Sequence, residues 1–280
     1  MQALTKALMK KLFLSADIEG TCGISHWDET SPDKPDYAYF ARQMTREVSA
    51  ACQGAADAGV EEMLVKDAHG GARNIDPAAL PRCARVLRGW TNDPHMMVAG
   101  LDSSFEGVFF TGYHSCAGSD ANPLAHTLTG DVALFTINGQ PASELTIHCL
   151  AAASMGVPIL LVTGDEGLCE GIRAVNPRIH TVAVNRGMGE ATLSLFHPDE
   201  AVGRIREAAR AAVTAARADP TAFAYPLPGS FDLEVTYRKH AQAERNSHYP
   251  GARKTASCSV RFETADYGEA LRFMHFCLWT

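Results

Sequence analysis

Asp17 and Glu19 are two residues apart, and the pair directly follows the apolar run Lys11–Ala16. On an extended chain, residues i and i+2 face the same side, so both carboxylates would point the same way. Asp67 and His69 repeat that spacing after Glu62–Lys66, and His114 follows the run Gly107–Thr111. Carboxylates and imidazoles converging on one edge make a site for zinc or a similar divalent ion. Two carboxylates so close would repel unless a proton or a cation neutralised them. Taken singly, an Asp-x-Glu pair is usually a solvated loop pair, and a lone His after a strand is usually a satisfied polar residue. Three successive strand ends supplying candidates together is a less ordinary pattern.

The elements that would position these residues read as an α/β fold. Short runs rich in Val, Leu, Ile and Phe, with Val157–Thr163 as a fourth, suggest buried strands. Helical stretches alternate with them at Asp36–Ala58, Glu144–Met155 and Asp199–Ala218. Such alternation predicts a mainly parallel sheet flanked by helices, with ligands bound beyond the carboxyl ends of its strands. After Ala218 the texture changes: a Pro-rich loop, strands at Phe231–Tyr237 and Ser257–Glu263, and a helix at Asp266–Leu278. We therefore expect an N-terminal extension over 1–10, an α/β metal-binding catalytic domain over 11–218, and over 219–280 a smaller C-terminal α+β lobe or an extension of the main sheet. Within the extension, residues 1–8 are expected to add nothing to the fold.

The 280 residues are 46% hydrophobic, enough for a sizeable core, and carry a formal charge of -7 with no block of like charges. That balance lacks the basic footprint of a nucleic-acid binder. No apolar run is long enough to cross a bilayer, and no secretory signal precedes Asp17, so no membrane partner is expected. The eight cysteines form no CxxC pair, which suits reduced thiols in a cytoplasmic protein.

The ordered set Ser15-Ala16-Asp17-Ile18-Glu19-Gly20, Lys66-Asp67-Ala68-His69, Gly112-Tyr113-His114, Ala125-His126-Thr127 and Gly139-Gln140-Pro141-Ala142-Ser143-Glu144-Leu145 resembles the D-aminopeptidase (DppA) family of zinc metallopeptidases, family M55. The similarity runs from about Lys11 to the C-terminus. The resemblance implies two Zn2+ per subunit, with Asp17 as the bridging carboxylate, Glu19, His69, His114 and Glu144 as the other ligands, and His126 as the catalytic histidine. Read from the sequence alone, Glu144 would be a first-turn helix glutamate favoured by the helix dipole; the resemblance reverses that reading. Ser143 stands where the family usually has Gly, and the stretch 117–124 is slightly longer than the family pattern.

The implied function is an aminopeptidase that releases N-terminal D-amino acids from short peptides by attack of a metal-bridging water, with His126 stabilising the oxyanion or protonating the leaving amine. A histidine nucleophile is the less economical variant. The resemblance further implies a ring-like, decameric homo-oligomer. The alternatives are another dinuclear metallohydrolase, acting on a cyclic amide or a phosphoester, and a non-catalytic metal-binding protein. A phosphoesterase would want cations near the site, and only Lys66 and Arg73 are close in sequence. Asp67, Asp165 and Glu166 are candidates for supporting roles, the last two for holding the substrate amine.

Overall fold

The structure, a computed structural model, describes residues 9–279. In chain order the elements are β1 (Lys11–Ala16), α1 (Tyr37–Asp57), β2 (Glu62–Asp67), β3 (Ala84–Leu87), β4 (Val108–Tyr113), β5 (Val132–Ile137), β6 (Gln140–Pro141), α2 (Glu144–Ser154), β7 (Ile159–Asp165), α3 (Glu166–Val175), β8 (His180–Met188), β9 (Ala191–Ser194), α4 (Pro198–Ala218), β10 (Phe231–Tyr237), α5 (His240–Asn246), β11 (Arg253–Ala256), β12 (Ser259–Thr264) and α6 (Tyr267–Cys277). Short 3-10 turns punctuate the loops. Seven strands form one sheet in the order β3-β2-β1-β4-β7-β8-β9, parallel except for the antiparallel β8–β9 pair. The predicted α/β class is the observed one.

The central strands are mainly apolar because both faces of this sheet are covered. Leu12 and Leu14 of β1 point to a cluster built with α1 and α4, whereas Phe13 points to the opposite cluster. In α1 the buried Ala41, Met44, Val48, Ala51 and Ala55 recur at helical spacing, and in α4 so do Ala201, Ile205, Ala209, Ala212 and Ala216. Small residues let these two helices come close. A Cβ at Gly54 would lie 2.1 Å from the Arg206 carbonyl oxygen.

The stretch after Ala218 does not extend the first sheet. Its strands enter a separate five-stranded antiparallel sheet, ordered β11-β12-β10-β5-β6, which draws β5 and β6 from the middle of the chain. The expected 218/219 division therefore does not separate the two sheets. At the other end, the expected extension lies outside the described residues for 1–8. Met9, however, is buried in the core, and the Lys10 carbonyl accepts from the Glu61 and Glu62 amides, so the packed chain starts earlier than residue 11.

The order of the first sheet places the switch in chain direction between β1 and β4. The chain runs outward from β1 through β2 to β3, then returns to add β4 on the other side. Clefts form beyond the strand ends at such a point. Here the ends stay unusually close. The Asp17 amide donates to Thr111 O at 2.9 Å, and the Gly20 amide donates to Gly112 O at 2.8 Å. Gly112 has φ +68, and a Cβ there would sit 2.2 Å from the Asp17 carbonyl oxygen. Only glycine permits both the left-handed backbone and that approach.

One buried acid lies behind the loop that follows Glu19. Glu47 of α1 accepts from the Cys22 amide and from Gln43 Nε2, both at 3.0 Å. Burial pushes its carboxyl up to about 7, against the lowering effect of those bonds and of Arg46. A raised folded-state value means that the folded state holds the proton longer than the unfolded state. Stability is thus undiminished below the ordinary 4.5 and declines as pH rises towards 7. Glu47→Gln should therefore be more stable than the parent by about 3 kcal/mol above pH 7 and match it below pH 4.5. Urea unfolding across that range is the check, and a pH-independent difference would contradict it.

Candidate metal centre

Asp17 and Glu19 follow β1, His69 follows β2, and His114 follows β4, so three neighbouring strands carry four of the six expected residues to one edge. Glu144 arrives as the first residue of α2, whose start is capped by Ser143 Oγ accepting from the Thr146 amide. The serine at this position thus has a local role that glycine could not fill. His126 comes from the long loop between β4 and β5. The structure brings all six together.

Three sets of side chains have potential ligand atoms within 4.8 Å of one another: Asp17, Glu19 and His69; Asp17, His114 and Glu144; and Glu19, His114 and His126. Asp17 is divided between the first two. Its Oδ1 lies 3.4 Å from His69 Nδ1, and its Oδ2 lies 3.5 Å from His114 Nε2. Glu19 Oε2 is 3.1 Å from His69 Nδ1, while Glu144 Oε1 is 3.6 Å from His114 Nε2 and 3.4 Å from His126 Nε2. The rings of His114 and His126 stack with centroids 4.3 Å apart.

Each histidine is turned by its far nitrogen. His69 Nε2 lies 2.9 Å from Thr30 O, His114 Nδ1 2.9 Å from Ser115 O, and His126 Nδ1 2.9 Å from Leu124 O. A carbonyl can only accept, so each of these nitrogens carries the proton. The neutral ring then presents its other nitrogen, with a lone pair, to the cluster. This is the outer support that metal-binding histidines usually have.

The electrostatics describe a cluster in need of positive charge. Burial, and then the Glu19 carboxylate, push Asp17 well above its ordinary range. Burial also opposes ionisation of Glu19 and Glu144. His69, with His126 and His114, outweighs it at Glu19 and holds that carboxyl well below normal. His114 and His126 hold Glu144 down to about 2. Burial opposes the protonated forms of His69 and His114, but the carboxylates prevail, led by Glu19 for His69 and by Glu144 for His114, and raise both well above normal. Asp17 Oδ2, Glu19 Oε2 and His114 Nε2 are buried without a hydrogen-bond partner. Unpaired buried polar atoms of this kind are costly. Divalent cations held by these sets would satisfy them, and this donor chemistry of carboxylate oxygens and imidazole nitrogens suits zinc.

The supporting residues sort differently from the ligand candidates. Asp67 accepts from the Asn74 and Ile75 amides and from Asn74 Nδ2, which also donates to His69 O. It therefore fixes the His69 loop through Asn74 rather than through the imidazole. Asp165 is fully buried and accepts from the Ser115 amide and hydroxyl and from the Leu168 amide, so it anchors the chain just past His114 and caps α3. Glu166 pairs bidentately with Arg186. Neither Asp165 nor Glu166 faces the cleft, so neither is placed to hold a substrate amine there. Cys116 lines a different cavity, and burial raises its thiol, which does not suit a nucleophile.

Above the cluster lies a cavity of about 320 Å3, walled by Trp27, Met97, Leu128 and Trp279 among others. Sequence reasoning did not pick out these apolar walls. They sit on loops and at a helix end, and no local pattern marks such positions. No Lys or Arg is among the described lining residues. Lys66 Nζ instead donates to the Asp67 and Gly89 carbonyls.

The profile of the D-aminopeptidase peptidase family M55 matches residues 9–276. A D-aminopeptidase of Bacillus subtilis (strain 168) is 30% identical over 276 residues, covering 94% of this chain and 95% of that one. The solved structure of a Zn-dependent D-aminopeptidase, DppA from Bacillus subtilis, described as a self-compartmentalizing protease, superposes with a TM-score of 0.87 at 28% identity over 96% of each chain. With the family profile matching nearly the full length and a relative 30% identical over 94% of the chain, the chain belongs to the D-aminopeptidase family and is a peptidase.

Proposed function

We propose that this protein is a zinc-dependent aminopeptidase that binds two Zn2+ per subunit and releases N-terminal D-amino acids from short peptides. The observation that carries the dinuclear reading is Asp17, whose two oxygens face two different sets of ligand candidates. Glu19 and His69 complete one position, and His114 and Glu144 the other. When bound, the ions supply a water acidic enough to attack at neutral pH and polarise the scissile carbonyl. His126, half-buried at the cleft with Nε2 turned inward, donates from that nitrogen to the developing oxyanion or to the leaving amine once the ring is doubly protonated, Nδ1–H staying on Leu124 O. The Leu128 amide donates to Glu144 Oε1 at 2.7 Å and holds that carboxylate in place.

The lack of Lys and Arg among the described lining residues favours a peptide over a phosphoester, which would need cations to receive it. The filled catalytic position at His126 argues against a protein that only binds metal. Assembly as a ring-like, decameric homo-oligomer and a cytoplasmic location complete the proposal, the first resting on the self-compartmentalizing relative. Among the described residues no helix is long and apolar enough to cross a membrane.

Purified protein with added zinc should hydrolyse D-alanyl peptides and leave a generic phosphate ester intact. Matched D- and L-aminoacyl peptides test the stereochemistry. Failure on both series would sink the peptidase reading, and preference for L-peptides would sink its D-specific part.

A further inference from the structure

We propose that Trp279 is a specificity-determining residue, forming the wall that meets the side chain of the substrate's N-terminal residue and restricting it to small groups. The inference rests on the aminopeptidase reading above. Trp279 lines the cleft although it comes from the chain beyond α6, two residues past the helix end. The ligand candidates other than Glu144 come from the first sheet and its loops, so Trp279 brings the second structural unit to the substrate.

Its place along the cleft follows from its neighbours. The indole meets Trp90 edge to face, with centroids 4.5 Å apart and planes at 75°. Trp90 Nε1 donates to Gly70 O at 2.7 Å, next to His69. Trp279 thus stands at the His69 end. Trp27, by contrast, packs against His126 at 5.1 Å. In the reading in which His126 protonates the leaving amine, that amine lies near it, and the acyl part, which carries the N-terminal side chain, extends towards His69 and Trp279.

The wall is also backed. Lys66 Nζ lies 4.1 Å over the Trp90 ring while donating to the Asp67 and Gly89 carbonyls, which fixes Trp90 and gives Trp279 a surface that does not yield. A cavity of about 320 Å3 is at the small end of ligand pockets. A fixed indole at the acyl end leaves room for a small side chain only.

The experiment compares N-terminal Ala, Leu and Phe peptides, in D- and L-series, on the zinc-loaded wild type, Trp279→Ala, Trp279→Leu and Trp279→Phe. The wild type should favour Ala. Trp279→Ala should raise the kcat/KM of Phe peptides relative to Ala peptides by about tenfold at unchanged metal content, since a change in pocket size discriminates on that scale. Trp279→Phe, which keeps an aromatic wall, should stay much nearer the wild-type ratio. Trp279→Leu carries the same expectation as Trp279→Ala if the latter does not fold. A wild type that cleaves peptides, with variants whose ratio does not move, overturns this inference alone. A wild type inactive on every peptide overturns the peptidase reading and this inference with it.

Discussion

Replacing His126 by alanine should abolish most turnover while leaving the metal content unchanged. The contacts of this side chain suit a proton-handling role. Its Nδ1 is committed to Leu124 O, its Nε2 faces Glu144 and the cleft, and its ring is backed by His114 on one side and Trp27 on another. A positioned general acid contributes about 10²- to 10⁴-fold, so kcat should fall on that scale. KM should move much less, because the group acts on charge that develops only in the transition state. His126→Ala is best read by steady-state kinetics beside elemental analysis of the same sample. Near wild-type activity would remove His126 from the chemistry. Loss of an ion would instead make it a ligand, an outcome consistent with its place in a set with Glu19 and His114.

The second large effect is expected at Asp17. Asp17→Asn keeps the shape but removes the charge shared between the two sets, so binding should fail at both positions and activity should drop to background. Glu144→Gln touches one set and should spare the other position. Thermal unfolding gives an independent reading. An ion held at about a thousandfold above its dissociation constant stabilises by about 4 kcal/mol, roughly 10 °C in melting temperature for a chain of this size. Zinc should raise the parent by at least that much and the variant hardly at all. Without zinc the variant should melt no lower than the parent, because the substitution takes one carboxylate out of a buried cluster of like charges. A zinc-dependent rise in Asp17→Asn equal to the parent's would show that Asp17 does not bridge.

The legible parts of the molecule were those in which local pattern and burial coincide. The runs leading to Asp17, His69 and His114 are mainly apolar because both faces of the sheet are covered, and their ends are where polar residues must appear. The long helices α1 and α4 show their buried stripe at helical spacing. The rest lacked such a signal. β3 has four residues with little burial, and β6 has two. α3 contains Gly167 and Gly171, which weaken helix propensity. β5 makes sense only beside β10, far along the chain, and no local window contains that pairing. The site divides likewise. Most ligand candidates converge from strand ends, whereas Asp165 reaches the site only because Ser115 meets it across the sheet, and Trp27 and Trp279 reach the cleft through packing alone.

That pairing of β5 with β10 has a temporal side. β5 ends at Ile137, and β10 begins roughly 90 residues later at Phe231. At a synthesis rate of about 5–20 residues per second, β5 waits about 5–20 s for its partner to be made. In that interval Val132, Phe135 and Ile137, all buried in the finished fold, have only the two-residue β6 of the second sheet beside them. Asp17, Glu19 and His69 hang on strands that are complete early, but α2, which carries Glu144, follows directly on the waiting β5–β6 ribbon. One half of the cluster can thus form during translation, and the other closes only as roughly the last fifth of the chain emerges. A nascent chain stalled before β10 would be a half-built centre with an exposed apolar ribbon, the stage at which this protein is most open to chaperones and to aggregation.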